Sequence, residues 1–294
     1  MIGQYGSFDK QKYERDFRNG FFGIEAGLFE RHEDTLQLIH ESRAKGFQIG
    51  VHFPLRAGMH HSRDALFLAL DEHMRKDAYE HVRHQLSYVS EVSPSYILFH
   101  YPKPVLLDDR VNWEKWRFAD SSEFIYENQY SFAEFTRQSE QLFAWLAEQG
   151  RKFEFAPVLE FDALNRYIYE TDFLERLLVQ YPEIRLCLDT GRLFTQEQFD
   201  PFFDAKQVMT KYAKYSAMIH LSNVQIINGK VERHHYPVLP ELNSEEGWAP
   251  IEHYIQIIKK ENPHVRVMFE HQSNLISDDD LDRCYAWVDQ LFKP

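Results

Sequence analysis

The chain has 294 residues, of which 44% are hydrophobic, 15% aromatic and 27% charged, with the charges spread along it rather than blocked. That profile supports a large folded core and excludes an intrinsically disordered chain. The formal net charge of −13 counts against a nucleic-acid partner, because phosphate contacts call for a basic footprint.

Residues 1–5 read as a short first strand, and residues 9–19 as a helix stopped by Gly20. Residues 21–25 form a predicted second strand with Glu25 at its tip. Residues 33–45 follow as a helix capped by Gly46. The third strand, 47–52, is tipped by His52 and stopped by Pro54. A polar loop, 56–64, carries Gly58 and the paired His60 and His61. Residues 71–92 have helical spacing, and 96–100 form the fourth strand, ending in His100. The stretch 101–129 holds two prolines, Trp113 and Trp116 among many charges, and is expected to be a long excursion, with a lid over a site and a plain surface insertion as its two readings.

Residues 131–150 read as a helix, 153–160 as the fifth strand, 171–180 as a helix and 184–189 as the sixth strand. Thr195 with Gln198 has the form of a capping box, opening a predicted helix that reaches toward Tyr215. The seventh strand is 217–220. A polar segment, 228–248, contains His234 and His235. Pro250 opens a helix to Glu261, 265–270 is the eighth strand, and 278–292 a last helix.

Eight apolar segments alternating with helices predict an α/β fold, a (β/α)8 barrel in one domain spanning 1–294; such barrels typically take about 250 residues. A doubly wound open sheet is the alternative, but no G-x-G-x-x-G or P-loop motif occurs. The longest fully apolar run, 65–70, is far short of the roughly 20 residues a membrane span needs. Cys187 and Cys284 form no motif, which fits a reducing cytosol. No signal-peptide pattern opens the chain, so a cytoplasmic location is expected.

Four strands end alike: Val158-Leu159-Glu160, Leu186-Cys187-Leu188-Asp189, Met218-Ile219-His220 and Met268-Phe269-Glu270. In a parallel barrel these tips share one mouth, where active sites lie. Packed carboxylates repel one another, and a cation relieves that repulsion. Two glutamates, an aspartate and a neutral histidine suit Mn²⁺, Mg²⁺ or Zn²⁺. Each residue alone fits a helix cap or an ion pair. It is the set, with Glu25, His52 and His100 on the neighbouring strands, that points to a metal site.

The order Glu160, Asp189, His220, Glu270 on strands five to eight resembles the xylose isomerase-like barrel superfamily, which includes sugar isomerases and epimerases and the endonuclease IV family. Gly23-Ile24-Glu25, His52 in Val-His-Phe-Pro and His100 in Leu-Phe-His-Tyr-Pro match the same pattern. The resemblance implies one divalent ion, Mn²⁺ foremost, held by Glu160, Asp189, His220 and Glu270. It further implies that Glu160 and Glu270 move a proton next to a substrate carbonyl. The substrate would be a small sugar, polyol or sugar phosphate. A keto-polyol dehydratase would use the same parts.

The endonuclease IV pattern needs two further histidine or aspartate ligands where this chain has Arg192 and Arg233. Arginine stays charged and cannot ligate a metal, so a three-zinc phosphodiesterase is the alternative reading rather than the first. His52, His100 and Glu160 leave room for a second ion. Arg192 is a candidate to hold a substrate carboxylate, phosphate or hydroxyl, with an ion pair to Glu160 or Asp162 as the competing role. His52, His100, His235 and Trp248 complete the expected substrate contacts; Trp113 and Trp116 are expected to pack. No nucleic-acid or membrane partner is expected. A homo-oligomer is compatible with the sequence and not required by it.

Overall fold

The computed structural model describes residues 1–118 and 120–293. Ala119, within the 101–129 excursion, and Pro294 lie outside the described residues.

Side chains along a strand alternate between two faces, and here the alternation separates helix-facing from barrel-facing residues. Phe99, Leu159, Leu186, Leu188, Ile219 and Leu221 join the core packed against the helices. Each such side chain contributes about 1.5–3 kcal/mol on burial. Their neighbours Leu98, Val158, Cys187, Met218 and Met268 pack together inside the barrel with Tyr96 and Met1. Two residues further along each of these strands stand His100, Glu160, Asp189, His220 and Glu270. The barrel interior is thus apolar below and charged above.

The strands are β1 (Ile2–Tyr5), β2 (Gly23–Gly27), β3 (Gln48–His52), β4 (Tyr96–Tyr101), β5 (Ala156–Phe161), β6 (Arg185–Asp189), β7 (Ser216–Leu221) and β8 (Arg266–Phe269). All pair in parallel, each with its sequence neighbours, and β8 returns to β1 to close the barrel. The (β/α)8 fold is therefore present as a single domain. The register places His100 beside Glu160 and Asp189 beside His220. The helices are α1 (Lys10–Asp16), α2 (His32–Lys45), α3 (Glu72–Val89), α4 (Phe132–Phe153), α5 (Arg166–Tyr169), α6 (Phe173–Gln180), α7 (Thr190–Phe199), α8 (Ala205–Tyr212), α9 (Ile251–Glu261) and α10 (Asp278–Phe292). No helix among the described residues is long and apolar enough to cross a membrane.

Four local expectations change. The second strand runs on to Gly27, so Glu25 sits in mid-strand and is fully buried rather than placed at a tip. The Thr195 capping box is not formed. Asp189 itself caps α7 by accepting from the Gly191 and Arg192 amides, and the Thr195 hydroxyl donates back to the Gly191 carbonyl. The predicted helix toward Tyr215 is two helices, because Pro201 disfavours helical backbone at Asp200 and α8 needs its own cap from Asp204. The polar 228–248 segment opens with half a hairpin, Asn223–Ile227 paired with Lys230–Tyr236. Its turn residues Asn228 and Gly229 both have positive φ, of 51° and 70°, as a tight primed hairpin turn requires.

Candidate metal centre and active site

Period-2 alternation delivers the four expected ligands to one point. Single oxygens of Glu160, Asp189 and Glu270 lie within 4.8 Å of one another. His220 Nδ1 is 2.6 Å from Glu160 Oε1 and 3.3 Å from Glu270 Oε2. Glu160, Asp189 and His220 are all at most 2% exposed, whereas Glu270 is half-buried and borders open space.

Glu25 sits beneath this set and fixes it. The Tyr5 and Tyr96 hydroxyls each donate to Glu25 at 2.7 Å. Burial raises both phenols and the Glu25 charge raises them further, so they stay protonated donors. Gly50 makes room for Tyr96: a Cβ at Gly50 would lie 2.1 Å from its ring. The remaining Glu25 contact is His220 Nε2, at 3.2 Å. Burial opposes the charged imidazole, but Cys187, Glu25, Glu160 and Glu270 raise His220 well above its usual range, so both ring nitrogens carry protons in the metal-free fold. A bound cation would displace the Nδ1 proton while Nε2–H stays on Glu25. That carboxylate–histidine arrangement orients metal-ligating histidines generally.

The carboxylates do not satisfy one another. Burial, then Glu270 and Glu160, push Asp189 up to about 6. Burial would also raise Glu160 and Glu270, but His220 holds Glu160 well below the usual carboxylate range and Glu270 at about 2. Both oxygens of Glu160 and Nδ1 of His220 are buried and make no well-formed hydrogen bond. Buried polar atoms normally find partners, and a divalent cation supplies one to all three at once. Three carboxylates and an imidazole therefore fit a hard to borderline divalent ion. A second group, His52, His100 and Glu160, also brings its donor atoms within 4.8 Å. Here His52 Nε2 is 3.5 Å and His100 Nε2 2.9 Å from Glu160 Oε2.

Behind His100 lies a set of charges that the strand-tip pattern does not reveal. His100 Nδ1 is 3.0 Å from Asp64 Oδ2. Asp64 is also 3.0 Å from the Lys103 ammonium, which lies 2.9 Å from Asp162 and 3.6 Å from Glu123. Burial opposes the charged form of His100, but Asp64 overrides it and sets His100 at about 8. Lys103 sits between two prolines and is only 2% exposed. The one signal of its role in the sequence is a lysine inside an otherwise apolar Pro-Lys-Pro-Val stretch.

Arg192 forms the ion pair to Asp162 that the sequence offered as one of its two roles. Its guanidinium lies 3.0 Å from Asp162 and 3.3 Å from Asp189, and also meets His100 at 3.3 Å. One edge remains on a cavity of about 240 Å³ that it shares with Asp189, Trp116 and His235. His235 also borders a larger cavity of about 600 Å³ beside Glu270. Its ring contacts the Glu270 carbonyl at 3.1 Å, and its backbone holds φ of 46°, a conformation that costs a non-glycine residue about 1–3 kcal/mol. Trp248 is not brought to the mouth. It is 6% exposed and packs against Tyr236 beneath the hairpin. Trp113 packs as expected, its indole donating to the Asp108 carbonyl, whereas Trp116 faces the smaller cavity. Arg233 lies exposed on the hairpin.

The closed barrel with its consecutive strand order has the fold of the xylose isomerase-like TIM barrels. A D-tagatose 3-epimerase-like protein superposes with a TM-score of 0.62 at 12% identity, covering 99% of this chain and 96% of that one. The IolI protein with a bound zinc atom gives 0.63 at 9% identity, covering 99% and 97%. A xylose isomerase-like TIM barrel protein from Mycobacterium smegmatis in complex with magnesium gives 0.53 at 11%, covering 96% and 85%. No protein-family model and no curated protein matches the chain.

Proposed function

We propose that this protein is a divalent-metal-dependent isomerase or epimerase of a small sugar, polyol or sugar phosphate. The observation that carries this reading is the pair Glu160 and Glu270. Both contact His220 Nδ1, and they share the Asp189 cluster at the barrel mouth. Structural neighbours that include an epimerase-like protein and zinc- and magnesium-bound barrels support it.

Glu160, Asp189, His220 and Glu270 would hold the ion, Mn²⁺ in our reading, with Zn²⁺ or Mg²⁺ as alternatives. When bound, it would act as a Lewis acid toward a carbonyl and its neighbouring hydroxyl. The protein's own groups do the rest. Glu25 and the two tyrosines fix the His220 ring. Glu270, the more open carboxylate, would take a proton from the carbon beside the carbonyl, and Glu160, once protonated from solvent, would return one, the proton left on Glu270 passing to solvent in turn. Arg192 and His235 border both the ligand cluster and the adjoining cavity, where substrate hydroxyls or an anionic group would lie. Lys115, Trp116 and Arg117 line that same cavity, which supports the 101–129 excursion as a cover that limits water. The two cysteines are free and buried, in keeping with a cytosolic enzyme.

A dehydratase of a keto-polyol would use the same first proton abstraction. The His52, His100 and Glu160 group favours one further variant, a two-ion site. The three-zinc phosphodiesterase reading is the weaker one, since Arg192 is committed to Asp162 and Asp189. The test is a screen of ketoses, inososes and sugar phosphates with metal-loaded protein in deuterated water. Exchange of one carbon-bound proton in a member of these classes is expected. Cleavage of abasic DNA, with no exchange in any sugar, would overturn the reading.

A further inference from the structure

The loop between β3 and α3 carries the paired His60 and His61, which the barrel mouth does not use. His60 Nε2 lies 2.7 Å from Asp77 Oδ2 on α3. One donor atom each from His60, His61 and Asp77 falls within 4.8 Å of the others. The two loop imidazoles stand 4.0 Å apart, and His81, one turn beyond Asp77, stacks on His60 at 4.4 Å and 25°. His61 and Asp77 are exposed and His60 is half-buried, so an ion reaches them from solvent.

We propose that His60, His61 and Asp77 form a surface site for a borderline divalent transition metal, of the zinc, nickel or cobalt type, that staples the β3–α3 loop to α3. Two imidazoles and one carboxylate match that class of ion, with water completing the shell. Magnesium and calcium prefer all-oxygen sets. The His60 ring is prepared for the exchange. Its Nδ1 faces both the Ser62 amide, at 3.1 Å, and the Ser62 carbonyl, at 3.3 Å. Without metal, Nδ1 accepts from the Ser62 amide and Nε2–H donates to Asp77. With metal, the proton sits on Nδ1 and donates to the Ser62 carbonyl, which frees the Nε2 lone pair. A ligating histidine that donates its other ring N–H to a backbone carbonyl is the general pattern.

The staple has a consequence for the mouth. The same loop carries Asp64, whose carboxylate holds both His100 and Lys103 at 3.0 Å. The loop has no helix or strand of its own between β3 and α3. An ion joining His60 and His61 to α3 would restrain the segment that presents Asp64 to His100.

The experiment uses four full-length proteins: wild type, His60→Ala/His61→Ala, Asp77→Asn, and a mouth variant, Glu160→Gln/Asp189→Asn. Each is titrated with Co²⁺ and followed by its visible absorption, and zinc content is measured by elemental analysis. The loop variant is expected to lose one equivalent relative to wild type, and the mouth variant to keep that equivalent. Asp77→Asn is expected to lose it too. Zinc is expected to slow tryptic cleavage after Arg63 in the mouth variant and not in the loop variant. The proposal is overturned by unchanged stoichiometry in the loop variant, or by a folded mouth variant that binds no ion. Zinc-independent cleavage after Arg63 would remove the staple. None of these readouts depends on a sugar substrate, so the site stands or falls apart from the proposed activity.

Discussion

The charges around Lys103 and the charges around Glu160 lie back to back, joined through His100 and Arg192, yet only one of the two sets is complete. Lys103 meets Asp64, Asp162 and Glu123, and Arg63 and Arg192 neutralise the acids from outside. Both Asp64 and Asp162, despite burial, are held well below the usual carboxylate range by these cations and His100. The Glu160 set has three carboxylates around one imidazole, an aspartate pushed up to about 6, and buried atoms without a well-formed hydrogen bond. Burying charge is tolerable where every charge is paired, and unfavourable otherwise. A set completed by protein cations is scaffold. A set left short of one cation is a site for an ion from outside.

The first way to break this comparison is to remove a proton-moving carboxylate. Glu160→Gln or Glu270→Gln should lower solvent-exchange turnover by about 10²–10⁴-fold while circular dichroism stays that of wild type. Wild-type rates in either variant would end the assignment. Removing the scaffold's central cation should instead damage folding: Lys103→Met leaves buried acids unpaired and should destabilise by about 3–5 kcal/mol in urea. A change within experimental error would mean that the Lys103 set is not structural.

Metal should act on one set only. At an ion concentration about a hundredfold above Kd, loading should stabilise wild type by about 2.7 kcal/mol, and chelation should reverse this in thermal melts. The Glu160→Gln/Asp189→Asn protein should show no such gain from ions bound at the mouth.

The smallest effect is the sharpest in sign. Asp189 in the metal-free fold has a pKa raised from 3.8 to about 6. The folded form therefore holds its proton longer than the unfolded chain does, and stability falls as pH rises through that window. Asp64 and Asp162 are depressed, so their stability is present above the unfolded value of 3.8 and is lost on acidification below it. Metal-free Asp189→Asn should thus gain stability relative to wild type between pH 4 and 6 and match it more closely at lower pH. An identical pH profile for the two proteins would contradict the charge shortage.

How much of this was legible in the sequence follows from distance along the chain. A carboxylate or histidine ending an apolar run is a local signal, and Glu160, Asp189, His220 and Glu270 all carry it. The Asn228-Gly229 hairpin turn was missed, because the polar composition around it reads as an irregular polar segment. Glu25 looked like a strand tip because Phe21 and Phe22 extend the apolar run at the wrong end; pairing with β1 and β3 moves the strand two residues on. Trp248 looked like a sugar platform because an aromatic in a polar segment reads as exposed. Pairing of its backbone with Gln225 turns it under the hairpin instead.

The sequence by itself determined the alternation of strands and helices and the four charged tips, since both depend on periodicities of two and 3.6 residues within short windows. Only the tertiary structure decided that Asp64, Lys103, Asp162 and Arg192 form one network and that Glu25 lies under His220. Those side chains come from separate strands and loops. They meet only when the barrel closes, and only then does it become clear which charges are paired and which are left for an ion.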